Sequence, residues 1–276
     1  MSTSLADIER YYDRQQFFYT YLWSRSALHY GLWYPETKTL GEAIGNTDRL
    51  VSQLLNIHSG DTVLDAGCGV GGTSLFIAGT TQARVEGITL SQVQLEIARR
   101  ECMRLGLENH VRFSRQDFCN SAFSDMAFSK IIGIESVSHA LEKADFVGEA
   151  YRLLGIGGRL GVCDVFLTYD QVPTTHELIY SRFLNGWALP NLVSRHLFST
   201  LLKSAGFDDV VFYDLRELIE RSIARIYRHG LLTRPFSILK SLGQSVRRDY
   251  PARYQKVLFD EGILTYGAFV ARKAPL

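Results

Sequence analysis

The 276-residue chain lacks several features that would have narrowed its function at once. Its four cysteines, Cys68, Cys102, Cys119 and Cys163, show no C-x-x-C spacing, which argues against a zinc site or a redox dithiol and fits a reduced, intracellular protein. No stretch of about eighteen uncharged apolar residues occurs, and the N-terminus, with its mixed charges, has no apolar core segment, so a soluble, unsecreted, cytoplasmic protein is expected. A formal net charge of +1 gives no global case for nucleic acid. The Asn/Asp-Pro-Pro-aromatic motif of base N-methylating enzymes is missing, as are internal repeats and low-complexity tracts.

What is present is apolar and aromatic. Hydrophobic residues make up 46% of the chain, enough for one α/β domain with an excursion. From Leu5 to Trp23 the spacing predicts a helix carrying Tyr11, Tyr12, Phe17, Phe18, Tyr19, Tyr21 and Trp23, so rich in rings that it is either buried or covers a ligand. The run H-Y-G-L-W-Y-P-E, His29 to Glu36, reads as a loop, and Leu40 to Ile57 as an amphipathic helix.

Alternation follows: a strand at T-V-L-D-A-G, a helix, a strand at A-R-V-E-G-I-T, a helix stopped by Gly106, strands at V-R-F-S-R-Q-D-F and F-S-K-I-I-G-I-E-S, a helix over residues 145–158, and a fifth strand at R-L-G-V-C-D-V-F-L. This spacing predicts a parallel sheet flanked by helices. Two helices, a sixth strand at D-D-V-V-F-Y-D-L, a helical stretch over 215–256 and a seventh strand at I-L-T-Y-G-A-F-V-A-R-K complete the chain. The expected divisions are an N-terminal helical cap (1–57), an α/β core (58–167), helices with strand six (168–214), a helical lid (215–260) and a final strand (261–276).

The segment V-L-D-A-G-C-G-V-G-G, Val63 to Gly72, places four glycines between the first strand and a helix, where open α/β sheets bind ligands. A dinucleotide pyrophosphate would sit badly beside Asp65. The ammonium group of S-adenosylmethionine would sit well there, and the glycines let backbone approach it.

With that segment the chain resembles class I S-adenosylmethionine-dependent methyltransferases, over about residues 30–167. H-Y-G-L-W followed by G-I-T-L-S-Q-V-Q resembles the branch of cyclopropane-fatty-acid synthases, sterol and tocopherol C-methyltransferases, and natural-product O- and N-methyltransferases. The resemblance implies a Rossmann-like seven-stranded α/β sheet with a lid between strands six and seven. It also implies S-adenosylmethionine held by Tyr30, Gly31, Asp65, Gly67, Gly69, Gly71, Thr89, Leu90, Gln94, Asp117 and Phe118, with no metal. Strand two ends in Thr89 where many class I methyltransferases, and nicotinamide enzymes, have an acid for the ribose. Thr89 equally serves to cap the next helix, and Tyr30 equally serves as core.

Past strands four and five, Glu135, His139 and Asp164 are the candidate catalytic residues. For an oxygen or nitrogen acceptor, His139 is the best base by its ordinary pKa. For an alkene, Glu135 suits both stabilising a cation and taking its proton. His139 satisfied by backbone, and Asp164 orienting His139, are the plainer alternatives. Between Leu215 and Lys256, ten basic residues (Arg216, Arg221, Arg225, Arg228, Arg234, Lys240, Arg247, Arg248, Arg253, Lys256) face three acids. They form a solvated face, or else they meet an anionic acceptor or membrane surface. The expected partner is a small lipophilic acceptor under aromatic cover from Tyr11, Phe17, Phe18, Tyr21 and Trp33. Carbon methylation of an isoprenoid-like or fatty chain leads, and O- or N-methylation of a natural product is the alternative. An oxidoreductase and a non-catalytic cofactor binder are the remaining alternatives.

Overall fold

A computed structural model describes residues 4–22, 27–240 and 251–274, with the side chains of 15–22 and 231–240 outside the description. The first five strands are β1 (Thr62–Ala66), β2 (Arg84–Thr89), β3 (Val111–Arg115), β4 (Phe128–Ile134) and β5 (Leu154–Leu167). With β6 (Phe207–Asp214) and β7 (Leu264–Lys273) they form one sheet in the order β3-β2-β1-β4-β5-β7-β6. The first five run parallel, as expected. β7 inserts antiparallel between β5 and β6, making the sheet mixed.

Helices α2 (Leu40–Leu55), α3 (Gly72–Thr81) and α4 (Gln92–Leu105) cover one face, with Val51, Leu55, Ile77, Leu95 and Ala98 in its core. On the other face, α5 (Lys143–Leu153) and α7 (Arg195–Ser204) bury Phe146, Val147, Phe198 and Leu202. α2 starts where Thr39 and Glu42 form a reciprocal capping box, the Thr-x-x-Glu signature satisfying two orphan amides. Buried strands with helices on both sides explain the continuous apolar runs in β1 and β4.

One boundary departs from expectation. The helix ends at Leu153 rather than reaching 158, because Leu154 pairs with Phe128 and begins β5. The glycine-rich stretch that follows absorbs a register shift before Arg159 pairs with Lys130. Helix α1 (Leu5–Leu22) precedes this core, and α6 (Glu177–Gly186) follows β5. Helices α8 (Glu220–Lys240) and α9 (Pro251–Asp260) lie between β6 and β7. No helix among the described residues is long and apolar enough to cross a membrane.

The strand order reverses between β1 and β4, so the carboxyl ends of these two neighbours open a crevice between their following loops. The glycine segment after β1 and the Glu135–His139 segment after β4 both border it.

Candidate active site

At this switch point lies a cavity of about 420 Å³. One part of its wall comes from the ends of β1 and β2. Gly67, in the left-handed region at φ 93°, and Gly69, at φ 53°, turn the chain away from β1. A Cβ on Gly67 would stand 2.4 Å from that of Ser136, whereas one on Gly69 would meet only the tip of Gln94 at 4.0 Å. Gly67 therefore lets the β1 and β4 loops touch, and Gly69 leaves backbone open to a ligand. Asp65 is buried and accepts a 2.6 Å hydrogen bond from the Ser74 hydroxyl; burial pushes its carboxyl up to about 6.

Thr89 and Gln94 line the same wall, the Thr89 hydroxyl donating to Gln94 Oε1 at 3.1 Å. The cap of α4 is Ser91, whose hydroxyl accepts from the Gln94 amide, so the capping role weighed for Thr89 belongs to its neighbour. Leu90, Asp117 and Phe118 also line the cavity. Asp117 Oδ1 accepts from the Cys119 amide at 2.8 Å, and Phe118 packs edge-on against Phe146. Tyr30 is both core and lining, 6% exposed with its ring against Tyr266.

Two expected ligand residues are not in the wall. Gly31 packs on α2, where a Cβ would stand 2.5 Å from that of Ala43, and its amide and carbonyl both bond the Ser222 hydroxyl. Gly71 faces Phe113, where a Cβ would stand at 2.7 Å; its role is helix-to-sheet packing, and Gly72 takes the place in the lining.

The three expected catalytic residues, Glu135, His139 and Asp164, all line the cavity. Glu135 sits in the left-handed region at φ 49°, a strained placement for a non-glycine residue. Its Oε1 accepts from the Tyr30 amide at 2.6 Å and the Tyr266 hydroxyl at 2.9 Å. Burial outweighs those bonds and the nearby His29 and lifts its carboxyl to about 7. His139 closes a 3-10 turn (Val137–His139), and its Nε2 lies 2.7 Å from the Tyr12 hydroxyl of α1. Burial, with the charge of Lys143, drops His139 to about 4.

This reverses the expected order of the two bases. His139 is neutral but weak, and Glu135 is the group tuned to neutral pH. Asp164 does not bond His139. It accepts from the Ser138 amide at 2.9 Å and the Val165 amide at 2.7 Å, fixing the turn that carries the histidine. Lys143, only 4% exposed, donates to the carbonyls of Ser138, Ala140 and Asn191, clamping that turn to the loop after α6.

Sequence reading missed His29, Lys143, Phe183, Trp187, Leu189 and Gln255, all at or beside this cavity. His29 stands in the H-Y-G-L-W run itself, but the apolar wall residues Phe183, Trp187 and Leu189 lie on α6 and just after it, far along the chain, and carry no local signal. Tyr11 lines the cavity as expected, joined by Ile8 and Tyr12. Trp33 does not. Its ring carries Arg221 at 4.1 Å and its Nε1 donates to Ser222, outside the cavity. The side chains of Phe17, Phe18 and Tyr21 lie outside the described residues.

Four residues of the basic segment are engaged in structure. Arg216 bonds the Phe259 carbonyl, Arg221 the Thr37 carbonyl, Arg228 the Ala224 carbonyl, and Lys256 pairs with Asp260. Arg234, Lys240, Arg247 and Arg248 lie outside the described side chains. Among the described residues no Lys or Arg lines the cavity, and no group of three His, Cys, Asp or Glu could hold a metal.

The residues present fit S-adenosylmethionine. A buried carboxylate (Asp65), an open glycine backbone, a Thr–Gln pair and an Asp–Phe pair all line one cavity, and Glu135 lines it with them.

Known proteins agree. A family model described as mycolic acid cyclopropane synthetase matches residues 1–207. A sterol 24-C-methyltransferase of Eremothecium gossypii is 32% identical over 74% of the chain, which spans 55% of that relative's length. An O-methyltransferase, cnsE, of Penicillium expansum is 32% identical over 74% of the chain and 73% of its own. The crystal structure of a geranyl diphosphate C-methyltransferase from Streptomyces coelicolor A3(2), with Mg2+, geranyl diphosphate and S-adenosyl-L-homocysteine, superposes with a TM-score of 0.77 at 20% identity. That match covers 98% of this chain and 97% of the other, a likeness of fold.

Proposed function

The chain belongs to the mycolic acid cyclopropane synthetase family, and from that membership we propose that it transfers the methyl group of S-adenosylmethionine to an unsaturated carbon of a lipophilic, isoprenoid-like or sterol-like acceptor. Bound along the wall from Asp65 to Phe118, the cofactor supplies an electrophilic methyl carbon on positive sulfur. The chain's own residues position and then deprotonate.

Glu135 carries the reading. A carboxylate near neutral pKa, held by Tyr30 and Tyr266 and bordering a cavity rich in rings and aliphatic side chains, can stabilise a cation left on an alkene after it gains a methyl. It can then accept the adjacent proton, whose C–H electron pair closes a new double bond. Tyr11, Tyr12 and Tyr30 add ring faces to the same wall. Ile8, Phe183, Leu189 and Ile226 give the apolar surface a hydrocarbon chain needs. α1, α8 and α9 are proposed as the lid over it.

Methylation of a natural-product hydroxyl is the second reading, favoured by the O-methyltransferase relative. The test is transfer from S-adenosylmethionine with an isotope-labelled methyl to a sterol with a side-chain alkene, geranyl diphosphate and a phenol, with products read by NMR. A methyl bonded to carbon supports the proposal, and one bonded to oxygen replaces it with the second reading.

A further inference from the structure

The cavity wall holds a buried charge that methyl transfer as described above leaves unused. His29 is 6% exposed and lines the cavity. Its Nδ1 lies 2.8 Å from the Tyr30 carbonyl oxygen, a contact that needs a proton on that nitrogen. Its Nε2 faces Asp48 Oδ1 at 3.2 Å, both side chains being 6% exposed. A neutral ring protonated at Nδ1 would aim a lone pair at that carboxylate, so the geometry calls for an imidazolium.

Asp48 Oδ1 also accepts from the Thr73 hydroxyl at 2.7 Å, and Thr73 opens α3 directly behind the glycine turn. The charged groups acting with His29 are Asp48 of α2, Asp65 of β1 and Glu135 after β4. Burial opposes the ring's charge, but Asp48, Glu135 and the Tyr30 carbonyl outweigh it and raise His29 to about 9. One buried cation thus balances three carboxyl groups, two of which border the cavity.

We propose that His29 is the residue by which the cavity distinguishes the sulfonium cofactor from its demethylated product: a cation entering the space lined by Asp65 and Glu135 replaces the imidazolium as their counter-ion, and His29 releases its proton to solvent. This rests on the cofactor named above. The ammonium beside Asp65 and the carboxylate are common to S-adenosylmethionine and S-adenosylhomocysteine, so the sulfonium is the one charge that separates them, and it, not the shared ammonium, is the cation that displaces the proton. Binding that releases a proton tightens as pH rises, so affinity for S-adenosylmethionine climbs on approach to pH 9 while affinity for S-adenosylhomocysteine stays flatter. After transfer the neutral product no longer compensates the carboxylates, and His29 regains its proton.

The experiment is calorimetric titration of the full chain with each ligand at about pH 8.5, in two buffers of different ionisation enthalpy, which counts protons exchanged per ligand bound. A tenfold weaker hold on the proton takes about half a proton off His29 at that pH, so about half a proton more is expected for S-adenosylmethionine than for S-adenosylhomocysteine. His29→Gln should abolish the difference. Binding of both ligands with equal proton counts overturns the proposal and leaves the cofactor reading standing, as does an excess that survives in folded His29→Gln. Binding of neither ligand by the wild-type chain overturns both. If His29→Gln does not fold, imidazole NMR of the wild type decides: the His29 titration should fall by about one pH unit with S-adenosylmethionine and stay put with S-adenosylhomocysteine, and an unmoved titration with both overturns the proposal.

Discussion

Replacing Glu135 by Gln should stabilise the protein at alkaline pH while removing turnover. The folded carboxyl holds its proton up to about 7, against 4.5 for an ordinary glutamic acid. Between those values the folded state binds more protons than the unfolded chain, so this group's contribution to stability falls as pH rises from about 4.5 to 7 and stays low above it. The gap corresponds to about 3 kcal/mol. The residue is only partly covered, so solvent screens part of it, leaving about 2 kcal/mol. Glutamine keeps an oxygen for the Tyr30 amide and the Tyr266 hydroxyl without the buried charge. At pH 8.5 the variant should therefore melt about 5 °C higher than the wild type, with the advantage vanishing near pH 4.5. Thermal melts of both proteins without ligand across this range provide the assay, with labelled-methyl transfer measured alongside. A melting difference that does not change with pH, or a variant less stable at pH 8.5, would refute the assignment of a strained carboxylate.

Three other outcomes are expected. Lys143→Met leaves the carbonyls of Ser138, Ala140 and Asn191 without their ammonium donor, so denaturant melts should show a loss of about 2 kcal/mol. In the same variant the His139 imidazole, followed by NMR, should titrate higher than in the wild type, because the Lys143 charge that helps hold it down is gone, and an unchanged titration would absolve the lysine. Gly69→Val forces a β-branched residue to φ 53° and fills the open approach, so S-adenosylhomocysteine binding should be lost with a stability cost of only about 1–2 kcal/mol; retained binding would dismiss the glycine cradle. Neutralising Arg225 and Arg228 together should leave KM for a neutral acceptor within about twofold, whereas a rise of about tenfold, mimicked by added salt, would establish an anionic one.

The α/β core was legible because its signals are local. Alternating apolar runs and the glycine turn each lie within a few residues, whereas the sequence offers Thr89 as the cap of α4 and the cap falls on Ser91, two residues on, because hydroxyl geometry and not residue type decides which one meets the Gln94 amide. β7 was harder: its place between β5 and β6 depends on pairing across the whole chain. The glycines show the limit at the site. Gly31, Gly67, Gly69 and Gly71 look alike in sequence, yet only Gly67 and Gly69 border the cavity, because what each Cβ would strike is set by Ala43, Ser136, Gln94 and Phe113 from distant elements. The two bases show it again. An ordinary pKa ranks His139 above Glu135, but burial moves an imidazole down and a carboxyl up, and Lys143 pushes the histidine further.

That inversion bears on the acceptor. A hydroxyl acceptor needs its proton removed as the methyl arrives, and His139, held near 4 with its Nε2 engaged by Tyr12, is poorly matched to the task near neutral pH. An alkene gives up no proton until after it has become a cation, and then needs a base that tolerates apolar surroundings and returns its proton to water near neutrality. Glu135 at about 7 meets both conditions, and its strained φ of 49° is the conformation in which the Tyr30 amide and the Tyr266 hydroxyl hold its carboxylate at the cavity wall. Among the described residues no Lys or Arg lines the cavity, which offers hydrocarbon and rings together with three raised carboxyls: Asp65 bonded by Ser74, Asp164 held by backbone amides, both at about 6, and Glu135 at about 7. These surfaces support the isoprenoid-like or sterol-like acceptor proposed above.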